Sequence, residues 1–320
     1  MAETRPVMAG RGERHAGELR SELPLLQGWA WPYMTINGAQ DGPHTTIVAG
    51  IHGCEYVSIR AAMRLARELE PAELRGSVLV VPVVNLPTFW ERRAFLTPQD
   101  GKNLNRVFPG SATGTFSEQL AYFIFNSCML GQDAFLDLHG GDLVEQLLPF
   151  AGYLGDAAPE VAAAARTMAE AFGLPFTMVR RTPAGAARGG MTYVAAAQHG
   201  VPGLLAEAGG NGFLTPPDVD LLVEGSRRVL QAVGNLPGQP QAPPTRVATK
   251  SETLLAPVSG FWMSPLKAGD EVRSGQEVGQ IVDLLGNPQR TITAPFDATV
   301  LYRTTASAVQ EGGILLSLVD

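Results

Sequence analysis

Apolar residues along this chain come in short runs that alternate with longer stretches of helical spacing. Thr45-Thr46-Ile47-Val48-Ala49-Gly50 reads as a β-run. From Glu55 to Leu69 the apolar positions Val57, Ile59, Met63, Leu65 and Leu69 are interleaved with Arg60, Arg64 and Arg67. That pattern is strand, turn, amphipathic helix. Residues 76–85 are apolar on both faces, as in an internal strand of a covered sheet, with Pro82 making the second half irregular. Beyond them the spacing predicts a helix over 116–129, a strand over 134–138 and an Ala-rich helix over 161–172. A strand over 176–179, a short helix over 192–198 and a strand over 203–207 follow. Strands alternating with helices in this way imply an α/β fold, a mostly parallel sheet with helices on both faces. In such sheets ligands gather beyond the carboxyl ends of the strands.

The pattern also divides the chain. Residues 1–20 are polar without a clear period and predict a flexible N-terminal arm, and 21–235 form the α/β domain. Residues 236–250, with Pro237, Pro240, Pro243 and Pro244, read as an extended Pro-rich linker. Over 251–320 short β-type runs are punctuated by Gly and Pro with no helical period, which predicts a small all-β domain.

Composition narrows the function classes. The chain has 320 residues, 45% of them apolar, enough to bury a substantial core. Its net charge of -7 is spread without long like-charge runs, which argues against a nucleic-acid or anionic-membrane partner. No run approaches a membrane span, and the first twenty residues lack the apolar core of a signal peptide, so a cytoplasmic location is expected. Cys54 and Cys128 are then expected to be thiols, Cys128 in the core.

Chemistry concentrates at the ends of the apolar runs. Gly50-Ile51-His52-Gly53-Cys54-Glu55 follows one strand and Leu136-Asp137-Leu138-His139-Gly140-Gly141 closes another. Two imidazoles and a carboxylate are what a catalytic zinc site with one open position needs. A lone His after a buried strand is more often structural. Here, however, two of only five His follow apolar strands and precede Gly, whereas His15, His44 and His199 lack that setting. Glu207 ends the next apolar strand, before Gly209-Gly210-Asn211-Gly212, and is placed to serve as a base. Its alternative is a salt-bridged strand-end Glu. The loop from Asp100 to Gly110 carries Asn103, Asn105 and Arg106, groups suited to fork-like recognition of a carboxylate.

G-I-H-G-C-E, D-G-K-N-L-N-R-V-F-P-G, D-L-H-G-G and L-L-A-E-A-G-G, in that order, resemble the succinylglutamate desuccinylase/aspartoacylase family, relatives of the zinc carboxypeptidases. By motif the resemblance covers residues 45–212. It implies a carboxypeptidase-like sheet and one Zn²⁺ held by His52, Glu55 and His139, with Glu207 as general base and then acid. It further implies that Asn105 and Arg106 hold a substrate carboxylate and that an upstream Arg, here Arg93 with Arg92 beside it, polarises the scissile carbonyl. An Arg and a Tyr from later in the chain are also implied, for which Arg188 and Tyr193 are the candidates. The reaction so implied is single-step attack of a zinc-activated water on the amide of a small N-acylated amino acid or amine. A carboxypeptidase-like peptidase and a non-catalytic metal- or ligand-binding protein stay open as alternatives.

The C-terminal segment resembles the small barrel-like β-domain found behind this catalytic domain, with a biotinyl/lipoyl texture. A carrier would need a Lys in the central hairpin, where Asn287-Pro288-Gln289-Arg290 stands instead. A rim, a lid or a contact between copies of the chain in a homo-oligomer is the expected role.

Overall fold

A computed structural model describes residues 5–182 and 189–320. Its first ten strands are β1 (Arg14–Leu19), β2 (Trp31–Asn37), β3 (Gln40–Ala49), β4 (Arg75–Val81), β5 (Ala134–His139), β6 (Glu145–Leu147), β7 (Phe150–Leu154), β8 (Phe176–Arg180), β9 (Gly203–Glu207) and β10 (Arg246–Ala248). All but β6 join one sheet in the order β1-β2-β4-β3-β5-β9-β7-β8-β10. Its pairings are parallel except at β1/β2, β2/β4 and β7/β9. The helices are α1 (Tyr56–Glu68), α2 (Leu86–Glu91), α3 (Phe116–Ile124), α4 (Pro159–Phe172), α5 (Thr192–Gln198) and α6 (Pro216–Val233). None is long and apolar enough to cross a membrane, among the described residues.

Strand alternation sorts the core into two layers. Ile47, Ala49, Leu136, Leu138, Leu204 and Ala206 pack with the residues of α1, α4 and α6. Val48, Phe135 and Leu205 pack with those of α3 and α5 on the opposite face. The same alternation carries Asp137 and His139 to Phe135's face, and Glu207 to Leu205's. His139 and Glu207 are register partners on adjacent strands, so both side chains leave the sheet together at its carboxyl edge.

The structure corrects the sequence reading in several places. The expected flexible arm contains β1, an edge strand along β2, and further up Val7 N–H donates to Tyr33 Oη (2.8 Å) and Ala9 N–H to Thr35 Oγ1 (3.0 Å). Gly17 makes this possible, since a Cβ there would lie 2.6 Å from Tyr33 Oη. The expected linker contributes β10, whose Arg246 guanidinium sits 5.5 Å from the Phe176 ring centre. The helix expected over 116–129 keeps its α form only to Ile124 and then widens into a π turn over Phe125–Met129. Strands β2 and β7 were not anticipated.

The C-terminal part adds β11 (Ser251–Leu255), β12 (Gly260–Met263), β13 (Glu271–Val272), β14 (Glu277–Val282), β15 (Pro288–Thr293), β16 (Ala298–Thr304), β17 (Ala308–Val309) and β18 (Ile314–Val319). They form two antiparallel sheets around Trp262, Val278, Ile281, Leu316 and Leu318. β6 joins one of these sheets by pairing with β16, in the register Tyr302↔Leu147 and Thr304↔Glu145.

Candidate metal and catalytic site

His52 and Glu55 lie on the turn between β3 and α1, and His139 is the last residue of β5. Glu55 stands at the N-cap of α1 but makes no capping bond with its side chain, which is turned instead toward the strand ends. Its Oε1 lies 2.7 Å from His52 Nδ1 and its Oε2 2.9 Å from His139 Nδ1, while Gly140 N–H donates to Oε2 (3.1 Å). Two glycines allow this approach. A Cβ on Gly53 would meet Phe89 N at 2.2 Å, and one on Gly140 would meet Ala208 O at 2.4 Å.

The outer nitrogens of both rings are engaged. His52 Nε2 lies 3.1 Å from Asn103 Oδ1 and His139 Nε2 lies 2.9 Å from Asp137 Oδ2. Both outer partners are acceptors, and so are the Glu55 oxygens that face each Nδ1, so the rings hold protons toward Glu55 in the metal-free cluster; a metal would displace the Nδ1 proton while the outer partners keep Nε2–H in place. Among the described residues His52, Glu55 and His139 form the group whose donor atoms lie within 4.8 Å of one another. Its electrostatics also favour a cation. Burial alone would raise the Glu55 pKa, but the two imidazoles pull it down to about 2. Burial disfavours charge on His139 as well, yet Asp137 and Glu55 lift its pKa well above the ordinary range. Relieved of their protons, the two Nδ1 atoms together with one carboxylate would suit a divalent metal of the zinc type.

Asp137 is fully buried; its Oδ2 also accepts the Thr192 hydroxyl, and its Oδ1 has no partner. The carboxylate thereby fixes the His139 ring from behind. Asp137→Asn is expected to weaken metal affinity about 10- to 100-fold, with the backbone fold unchanged by circular dichroism. Chelator competition measures it, and an unchanged dissociation constant would remove Asp137 from this role.

The Glu207 backbone is held in the sheet between His139 and Phe150, but its side chain makes no hydrogen bond and no ion pair among the described residues. Burial pushes its carboxyl well above the usual range; His139 opposes that shift, and Glu55, Glu145 and Asp137 add to it. A carboxyl poised to hold a proton beside a metal-type cluster is equipped for general acid-base work.

The loop after α2 supplies the next wall. Asn105 is buried, with its Oδ1 accepting from Thr192 N–H at 3.0 Å, and Arg106 is anchored by one nitrogen on Asn105 O (2.8 Å). Burial, and then the nearby Arg180 guanidinium, lower the Arg106 pKa. Tyr193 is buried with its hydroxyl within hydrogen-bonding reach of Arg180. Arg93 does not reach this space. Arg92 takes the left-handed C-cap of α2, which sends the Arg93 side chain outward, 63% exposed and 3.6 Å from Glu91. Arg188 lies outside the described residues. Cys54 points away, with Sγ 3.5 Å from Arg93 O.

Several site residues escaped the sequence reading. Arg180 ends β8 next to Arg181, and Tyr302 reaches the site from β16, where its charge environment includes Glu145 and Glu207. Phe95 packs edge-on against His52 (5.7 Å between ring centres) while its N–H donates to Asp142 Oδ2 at 2.8 Å. Strand alternation alone would have put Arg180 rather than Arg181 on the face of Met178; no local signal marks the other two.

With this geometry in view, the profile of the succinylglutamate desuccinylase/aspartoacylase catalytic domain matches residues 41–233. The chain belongs to the succinylglutamate desuccinylase/aspartoacylase family. It is 29% identical over 258 residues to the N-alpha-acetyl-L-2,4-diaminobutyric acid deacetylase of Halomonas elongata, covering 78% of this chain and 74% of that one. A succinylglutamate desuccinylase/aspartoacylase structure from Rhodobacter sphaeroides superposes with a TM-score of 0.85 at 26% identity over 99% of both chains. The ectoine utilization protein EutE (DoeB) of Ruegeria pomeroyi shares the fold, with a TM-score of 0.86 at 23% identity over 99% of this chain and 98% of that one. This family member thus matches structural relatives over its full length, C-terminal β-sheets included.

Proposed function

We propose that the protein is a zinc-dependent deacylase that hydrolyses the amide bond of a small N-acylated amino acid. The observation that carries this reading is the register pairing of His139 with Glu207, by which a protonatable carboxylate without a partner among the described residues stands beside the His52-Glu55-His139 cluster. The Halomonas relative, a deacetylase of an N-acetylated amino acid by name, supports the same class.

Zinc held by His52, Glu55 and His139 would supply Lewis acidity, the chemistry that makes water acidic enough to attack near neutral pH and polarises a carbonyl. Glu207 accepts the proton of the attacking water and delivers it to the departing amine nitrogen, and its raised pKa suits both transfers. Arg106, with Arg180 next to it, offers unpaired N–H groups to the substrate carboxylate, and Asn105 and Tyr193 border that grip. Phe95 packs its ring edge-on against His52, an apolar wall beside the cluster.

The test is amine release from a panel of N-acetyl and N-succinyl amino acids and of peptides, using zinc-loaded protein. Turnover of N-acyl amino acids with slow cleavage of peptides is the expected result; the reverse preference would make it a peptidase, and no turnover with stoichiometric zinc a binding protein. Arg106→Lys is expected to raise KM about 10- to 100-fold, because an ammonium cannot form the planar fork. Substrates whose carboxylate is capped as an amide should show no such change, and an equal change on both would break the assignment.

A further inference from the structure

Asp142 is a fully buried carboxylate beside the cluster that the deacylase reading leaves without a task. It lies on the loop that follows His139, the last residue of β5. Both of its oxygens are turned to backbone amides: Oδ1 accepts from Leu143 N–H at 2.6 Å and Oδ2 from Phe95 N–H at 2.8 Å. Among the described residues it is not part of the donor group of His52, Glu55 and His139, so it braces the backbone and does not add a ligand.

The bond to Phe95 ties this loop to another. The segment after α2 is fixed at its start by Arg93 N–H on Thr88 O (3.0 Å). It is fixed at its end by Thr97, whose N–H donates to Lys102 O (2.9 Å) and whose Oγ1 accepts from Asn85 Nδ2 (2.9 Å). Between those points the chain makes a three-residue turn closed by Leu96 N–H on Ala94 O (2.5 Å), with Phe95 at its centre at φ 54°. A bulky residue in left-handed backbone at the centre of so tight a turn is strained. Such a conformation persists only where its surroundings hold it. Asp142 holds it at the central residue.

The turn serves His52. The Phe95 ring meets that imidazole edge-on at 5.7 Å between centres and 82° between planes. The next residue, Leu96, is the bridge partner of Asn103. Asn103 Oδ1 in turn lies 3.1 Å from His52 Nε2 and accepts from Asn105 N–H at 2.9 Å. Both contacts of the ring therefore hang on the placement of one turn. Behind His139 the Asp137 carboxylate touches the imidazole itself. Behind His52 that place is taken by Asn103, and the nearest brace with a full charge is one loop further out.

We propose that Asp142 is the positioning residue of His52: by holding the Phe95 turn it keeps the Phe95 ring and the Asn103 oxygen against that imidazole. The inference rests on the metal reading of the cluster. It gives each imidazole its own buried carboxylate, Asp137 in contact and Asp142 through the loop.

The experiment titrates Co²⁺ into metal-free protein. Chelator competition reads affinity, the visible absorption bands read ligand geometry, and circular dichroism reads the fold. The wild type should bind one equivalent. Asp142→Asn keeps the size of the side chain but turns an amino group toward one of the two N–H donors. Its affinity should fall about 2- to 10-fold, with displaced bands and an unchanged fold. Phe95→Gly suits the left-handed backbone and deletes the ring, so it should also displace the bands. The double variant should bind no more weakly than Asp142→Asn, because both changes act through one turn. Wild-type affinity and bands in either single variant would overturn the proposal, and so would losses that add in full. An Asp142→Asn chain that does not fold would overturn it as well, since the carboxylate would then hold the fold and not the ring. Absence of stoichiometric Co²⁺ in the wild type would remove the metal reading itself.

Discussion

Glu207→Gln is expected to lower kcat about 10²- to 10⁴-fold with full metal content and a nearly unchanged KM. The substitution keeps the shape of the side chain and removes its ability to take a proton. Glu207 lies outside the triad of donor atoms, which draws on His52, Glu55 and His139, so metal binding does not depend on it. Nor does its carboxylate hold the strand end together, since it makes no hydrogen bond among the described residues, so the fold should be little changed. The measurement is metal analysis alongside steady-state kinetics. A variant with wild-type kcat would refute the acid-base role, and one that loses metal would make Glu207 a ligand.

His139→Ala is expected to abolish stoichiometric metal binding and with it all measurable turnover. The ring supplies one of three donors and occupies the space between two buried carboxylates, Glu55 and Asp137. Its removal leaves Glu55 with His52 and the Gly140 N–H, and Asp137 with only the Thr192 hydroxyl. Breaking a buried charged pair from one side costs about 3–5 kcal/mol, so the metal-free variant should unfold at lower denaturant than metal-free wild type. Binding of metal at full stoichiometry by His139→Ala would show that the cluster is misassigned. An unshifted unfolding midpoint would show that the ring does not neutralise its two neighbours.

How much of this could be read from the chain depends on where the information lies. His52, Glu55, His139 and Glu207 each follow a run of apolar residues long enough to be read as a strand, so their common edge follows from topology alone. Parallel strands buried on both faces advertise themselves. Edge and inserted strands do not: β1 mixes Arg, Gly and Glu, β2 contains Pro32, and β7 follows β6 after a two-residue break. Their strand character comes from neighbours distant in sequence, such as the pairing of β7 with both β8 and β9. Arg180 and Tyr302 fall under the same limit. Arg93 shows a different one, because a spacing argument cannot foresee that Arg92 adopts a left-handed backbone and redirects the next side chain.

The pairing of β6 with β16 bears on how such a chain can be cut and recombined. A boundary drawn at the Pro-rich segment looks clean in the sequence, yet three residues from the middle of the first part complete a sheet of the second. Severing there would strip Glu145–Leu147 of its hydrogen-bonding mate and bare one side of Tyr302–Thr304, an open edge of the kind that recruits foreign strands. The C-terminal sheets are thus not an exchangeable cassette. A chimera that swaps them must carry the matching tripeptide across with them, and shuffling at the linker alone would pair a strand with a stranger.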